Sequence, residues 1–189
     1  MKIYLLDNKQ HIVNLWKLYF ADIAEVEPVC DGFKHFMDNT DVECVVSPAN
    51  SYGLMDGGYD LAISEWFGWD LSKKVQAYIL DRFRGEQPVG SSIILDTGVK
   101  GIKLIHAPTM RVPSVIKDPM VVYTCMRTCL LSALEHKVQS IVIPAFGGGC
   151  GAIPPQTICS MMFEAYQQIT HPPKALNWEY AESRKIEIS

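Results

Sequence analysis

The residues able to do chemistry concentrate in two glycine-rich segments, each placed directly after an apolar run. SPANSYGLMDGGYD (47–60) follows Cys44-Val45-Val46, and PAFGGGCGAIP (144–154) follows Ile141-Val142-Ile143. Each leads into a stretch with helical spacing. A strand–loop–helix junction of this kind presents unpaired backbone N–H groups and the positive end of a helix dipole. Glycine lets such a backbone approach an anion closely, because no Cβ intervenes. Two loops of this type side by side would grip a diphosphate from both sides. Taken singly, each is also what a tight turn requires. Neither is a P-loop, since GGGCGAIPPQT lacks the Lys-Ser/Thr pair. Neither matches G-x-G-x-x-G with an acid about twenty residues on, which argues against a Rossmann dinucleotide site. Asp60 stands ten residues after Asn50 at the end of the first segment. It is placed either to cap the following helix or to present a carboxylate to a ligand.

The elements that must position these loops are read from periodicity. Short apolar runs predict strands at 3–6, 44–47, 92–96, 103–107 and 140–144. A further strand at 25–30 is placed at a sheet edge by Pro28. The 44–47 run is apolar on consecutive positions, which predicts burial on both faces. Helical spacing predicts a helix after Asp7 or Asn8 to about 20, with Ile12, Leu15, Trp16 and Tyr19 on one face. A short helix is expected near 34–37, one after Asp60 containing Leu61, Ile63 and Trp66, and one from Asp70 or Ser72 to about 82. The longest helix is expected at 119–136, with Val122, Met126, Cys129, Leu130 and Leu134 on its core face. Pro154 and Pro155 suit the first turn of a helix to about 169. The tail shows no pattern until 185–188, read as a last strand or as disorder. Alternating strands and helices predict an α/β fold with a mixed, mainly parallel sheet covered by helices on both faces. In such sheets ligands sit beyond the carboxyl ends of the strands, where both glycine segments fall.

Bulk properties narrow the function classes. The 189 residues suit one domain, with 48% hydrophobic and 20% charged residues. A net charge of −4 argues against a broad nucleic-acid surface, which needs clustered cations. It leaves room for a small anion held by backbone N–H groups. No apolar run is long enough to span a bilayer. The early acid at Asp7 argues against a signal peptide, so the six cysteines, with no C-x-x-C pair, are read as reduced thiols of a cytoplasmic protein. Cys125 and Cys129 have no partner pair at ligand spacing, which argues against a metal centre. Cys150 in the second loop invites a nucleophile reading, but no histidine pairs with it by sequence. His106 reads as a hydrogen-bonded residue at a strand end, and Arg111 as a partner for a phosphate or a carboxylate. Trp66, Phe67 and Trp69 read as packing residues.

The wording VVSPAN…DGGYD, followed by SIVIPAFGGGCGAIP, resembles the two ligand loops of the macro domain family. The resemblance covers about 29–169 and has both loops in the family order. It implies a three-layer α/β/α fold and binding of ADP-ribose. Asn50 falls on the last Asn of the family's first motif, where its amide would hold the distal ribose; by residue type alone it is equally a turn Asn capping its own backbone. Gly57, Gly58 and the Tyr59 N–H would approach the diphosphate. Met55 and Asp56 stand where the family has earlier glycines. Asp60 has the spacing of the catalytic Asp of the hydrolytic branch, where a carboxylate would orient or deprotonate water at the anomeric carbon. Gly147, Gly148, Gly149, Cys150 and Gly151 would wrap the diphosphate from the other side, with Gly147-Gly148 replacing the family's Ser-Thr. Ile153 would contact the distal ribose. Asp31, followed by Gly32, falls on a family Asp that accepts from the adenine amino group; Asp-Gly is equally the chemistry of a turn.

The resemblance therefore implies a hydrolase that releases ADP-ribose from an acidic side chain, a nucleic-acid end or a small conjugate. Water would be the co-substrate, with no metal or organic cofactor. Three alternatives stay open: a binding module without turnover, a phosphatase acting on ADP-ribose 1″-phosphate, and a phage assembly protein using the fold as scaffold. The SPANS…MDGG wording resembles a bacterial and phage branch.

Overall fold

The computed structural model describes residues 1–186. Its strands are β1 (Lys2–Asp7), β2 (Val26–Cys30), β3 (Cys44–Ser47), β4 (Ile93–Asp96), β5 (Lys103–His106) and β6 (Ser140–Pro144). Its helices are α1 (Gln10–Tyr19), α2 (Phe33–Asn39), α3 (Gly58–Phe67), α4 (Asp70–Phe83), α5 (Met120–Glu135), α6 (Pro155–Thr170) and α7 (Trp178–Ser183). The strands form one sheet in the order β2-β1-β6-β3-β5-β4. All pairings are parallel except β4 with β5. The β4–β5 hairpin accounts for the antiparallel pair, because its short connection, residues 97–102, cannot carry a crossover.

Alternation along the strands sorts the core into two layers. Ile3, Leu5, Cys44, Val46, Ile105, Ile141 and Ile143 face α1, α5 and α6. Leu6, Val45, Leu104 and Val142 face α2, α3 and α4. Both faces of β3 and β6 are buried, so their consecutive apolar residues have partners on each side. The result is three layers, helix on sheet on helix. Pro28 lies in β2 at the sheet edge, as its missing donor demands.

Several expectations are corrected. The N-cap of α1 is Lys9, while Asp7 Oδ1 accepts from the Lys9 amide at 2.8 Å. Leu134, expected on the core face of α5, is 50% exposed, because the buried face of that last turn is carried by Leu130 and Ala133 and Leu134 points one position off it. Trp69, expected to pack, is 54% exposed at the break between α3 and α4. The patternless tail contains α7, capped by the Asn177 side chain accepting from Tyr180 N at 2.8 Å. Of the expected strand or disordered end at 185–188, Lys185 and Ile186 are not in a strand, and 187–188 lie outside the described residues.

Candidate functional site

The β1–α1, β2–α2, β3–α3 and β6–α6 connections all leave the carboxyl edge of the parallel sheet, so their loops meet over one rim. A cavity of about 640 Å³ opens there. The two glycine loops form facing parts of its wall, with Gly57, Gly58 and Tyr59 from one and Gly147, Gly148, Gly149, Cys150 and Gly151 from the other. The topology brings them together because β6 lies directly beside β3. Asp31 and Gly32 close the end over edge strand β2, and Asn50 and Asp60 line the part over β3.

Asp60 is 6% exposed. It is not the cap of α3, as one reading had it. Gly57 is the N-cap, with no side-chain bond, and Asp60 falls in the first turn. Its Oδ1 accepts from Ser47 Oγ at 2.6 Å. Burial pushes its carboxyl up to about 7, partly countered by the Ser47 bond, with the negative charge of Asp56 adding to the rise. The cavity thus contains an acid balanced between its protonated and ionised forms near neutral pH.

Asn50 is 8% exposed and works first on its own loop. Its Oδ1 accepts from Tyr52 N at 3.0 Å and Leu54 N at 3.3 Å, and its Nδ2 donates to Leu54 O at 2.8 Å. That is the turn-forming role of an Asx residue. An amide nitrogen carries two hydrogens, so one donor remains after the Leu54 bond. Met55, standing at a family glycine position, is buried and anchors the loop into the α2–α4 core, while Asp56 is exposed at the cavity rim.

Asp31 is oriented by its neighbours. One carboxylate oxygen accepts from Gly32 N at 2.7 Å, and the other lies 2.6 Å from His35 Nδ1. The His35 bond is the main cause holding the Asp31 carboxyl below its usual value. Tyr59 packs edge-on against Phe33, also in the cavity wall.

Ile153 is not brought to the cavity wall. It is 6% exposed and belongs to the core beneath the second loop. Gly147 has φ +74°, and a Cβ there would stand 2.6 Å from Ile153 Cδ1. The isoleucine therefore props the loop from below. Cys150 is exposed, its Sγ 3.6 Å from Met110 Sδ, and among the described residues no base hydrogen-bonds to it. His106 is buried, and its Nδ1 donates to Gln87 Oε1 at 2.8 Å. Desolvation lowers its pKa to about 3, which removes it as a proton acceptor at neutral pH. Arg111 pairs with a carboxylate, Nε and Nη2 donating to the two oxygens of Glu86 at 2.7 and 2.9 Å.

The sequence reading missed Lys9. Among the described residues lining the cavity it is the single cation, beside Asp7, Asp31, Asp56 and Asp60. Its Nζ donates to Gly148 O at 3.1 Å. The available signal was Asp7-Asn8-Lys9, a polar triplet at the end of a parallel strand, where such sheets place ligand groups. Thr109 and Met110, after β5, complete the wall near Asn50, and Ser51 N donates to Met110 O at 3.1 Å.

Comparison with known proteins places the fold. The family profile described as Macro domain matches residues 46–162. An uncharacterized protein of Aquifex aeolicus (strain VF5) is 29% identical over 144 residues, covering 76% of this chain and 82% of its own. The Oceanobacillus iheyensis macrodomain, in a mutant form with ADPR, superposes with a TM-score of 0.61 at 23% identity, over 68% of this chain and 71% of that one. The macrodomain of Mycobacterium tuberculosis DarG superposes with a TM-score of 0.60 at 20% identity, over 69% and 85%. The sheet and helix layers described above are the fold these structures share.

Proposed function

The chain belongs to the macro domain family, and from that premise we propose that it binds ADP-ribose across the glycine-lined cavity and hydrolyses the bond at the anomeric carbon of the distal ribose. The observation that carries the reading is Asp60: a buried carboxyl on the cavity wall, held by Ser47 and ionising near 7. Adenine lies at the Asp31–Gly32 end. The diphosphate lies between residues 57–59 and 147–151, where backbone N–H groups and the first turn of α3 favour an anion. Lys9 adds the positive charge that four nearby aspartates otherwise withhold. Asn50 shapes the first loop and offers its remaining amide hydrogen to the distal ribose.

In the reaction, a water oxygen bonds to the anomeric carbon as the bond to the acceptor breaks. The acceptor oxygen leaves with the electron pair, and the water proton passes to ionised Asp60. A group ionising near the working pH is suited to that transfer. With an acidic side chain as acceptor, the leaving group is itself a carboxylate and needs no proton.

Asp60→Ala is expected to bind ADP-ribose as the parent protein does, while turnover of mono-ADP-ribosylated substrate falls about 100-fold or more, in the range of general-base losses. Full turnover in that variant, with normal binding, would overturn the mechanism. Binding without turnover is a second reading, drawn from Asn50 spending most of its amide on its own loop. A single-turnover assay with labelled ADP-ribosylated protein separates the two.

A further inference from the structure

A second cavity, of about 410 Å³, lies on the far side of Thr109 and Met110, which line both. It is built from the segment between β5 and α5, the first turns of α5, and Val89-Gly90 ahead of β4. Strand order gives it a direction. The first cavity runs from Asp31 over edge strand β2 to Asn50 over β3, and the next strands outward are β5 and β4. The second cavity therefore continues the first at the end opposite Asp31.

The segment between the cavities is tied to both glycine loops. Thr109 N donates to Ala49 O at 2.9 Å, Ser51 N to Met110 O at 3.1 Å, and Ile116 N to Gly151 O at 2.9 Å. Polar groups of the second cavity are engaged internally. Arg111 is held by both oxygens of Glu86, which also accepts from Tyr52 OH at 3.0 Å. Asp118 Oδ1 accepts from Met120 N at 2.9 Å. Ser114 and Thr124 hydroxyls donate to the carbonyls of Val112 and Met120, each at 3.0 Å. Beside the second carboxylate oxygen of Asp118, the groups that remain to meet a ligand are mainly apolar: Val89, Val115, Ile116, Met120 and Val121. Val89 is 45% and Val115 66% exposed, unusual for side chains gathered on one rim.

Resting on the ADP-ribose reading of the first cavity, we infer that the second cavity is the acceptor subsite, taking an apolar side chain that flanks the ADP-ribosylated residue of a protein substrate. Hydrolysis separates ADP-ribose from an acceptor that must lie beyond the distal ribose, and this is the cavity that lies there. Its volume falls in the range of about 300–1,000 Å³ typical of ligand sites. Among the described residues its one arginine is paired with Glu86, and Asp118 adds negative charge, a lining poorly matched to a phosphodiester, which favours a peptide over a nucleic-acid acceptor.

The test uses ADP-ribosylated peptides with a non-hydrolysable linkage, identical except for Leu or Asp beside the modified residue, and measures Kd by calorimetry. The protein is expected to prefer the Leu peptide about ten-fold, the worth of burying one aliphatic side chain. Val115→Asp, at an exposed position outside the first cavity, is expected to abolish that preference and leave the Kd for free ADP-ribose unchanged. Equal affinity for both peptides, with free ADP-ribose still bound, would overturn the subsite alone. Tighter binding of an ADP-ribosylated oligonucleotide end than of either peptide would also overturn it. Failure of the parent protein to bind free ADP-ribose would overturn the reading of the first cavity, and is seen in a separate titration.

Discussion

Asp60 has to be buried to orient and accessible to react, and those demands set its acidity. As the base of the proposed reaction it must be ionised. The ratio kcat/KM is therefore expected to rise with pH and level off above about 7, the value at which burial leaves the group. Asp56→Asn removes the neighbouring charge that raises Asp60 and should move this limb to lower pH. A profile flat from pH 5 to 8 would contradict the assignment. Stability carries the same signature. The folded-state pKa is raised above its ordinary 3.8, so the protonated carboxyl favours folding. That contribution is fully present below about pH 4 and is lost as pH rises through 7, a change of up to about 4 kcal/mol from three pKa units. Urea denaturation at pH 5 and 8 should show the parent protein weaker at pH 8, with the difference reduced in Asp60→Asn.

The second glycine loop makes different demands at neighbouring positions. Gly147 combines φ +74° with a Cβ position 2.6 Å from Ile153 Cδ1. Gly147→Ala should therefore cost about 1–3 kcal/mol through strained backbone and contact with the prop beneath it. At Gly149 a Cβ would meet nothing within 4 Å, and φ lies outside the left-handed region. Gly149→Ala is expected to unfold as the parent does in urea, yet to bind ADP-ribose about ten-fold more weakly, because the methyl group would occupy the diphosphate's side of the loop. Unchanged affinity in this variant would mean that the loop does not approach the ligand. Each helix entry matters in the same way: Gly57 caps α3 without a side chain, which leaves Asp60 in the first turn instead of at the cap.

Across the whole molecule, the sheet separates two apolar layers that share a backbone but few side-chain neighbours. Ile12 belongs to the layer of α1, α5 and α6, and Ile79 to that of α2, α3 and α4. Ile12→Val and Ile79→Val should each cost about 1 kcal/mol. Their combination should add to within about 0.5 kcal/mol, because the sites have no common partner. Denaturant titration of the two single variants and the double variant measures this. A coupling well above that figure would show that the layers communicate through the sheet.

The sequence by itself determined the alternation of strands and helices, the edge position of β2 and the two loops at strand ends, because apolar periodicity and glycine are local signals. The glycines at 57–58, 147–149 and 151 were legible by type and position, Asn50, Asp60 and Asp31 through the resemblance of their loops to the macro domain, and the fold gathers them over one rim. Only the tertiary structure decided what each side chain meets. It turned Ile153 into the core beneath Gly147 and left Leu134 and Trp69 half-exposed. It also brought Lys9 to Gly148 across 139 residues. Periodicity says which face of an element is apolar, but not which neighbour from a distant part of the chain arrives there. Burial of Asp60, and with it a carboxyl ionising near 7, exists only once β3, α3 and the loop between them close around it.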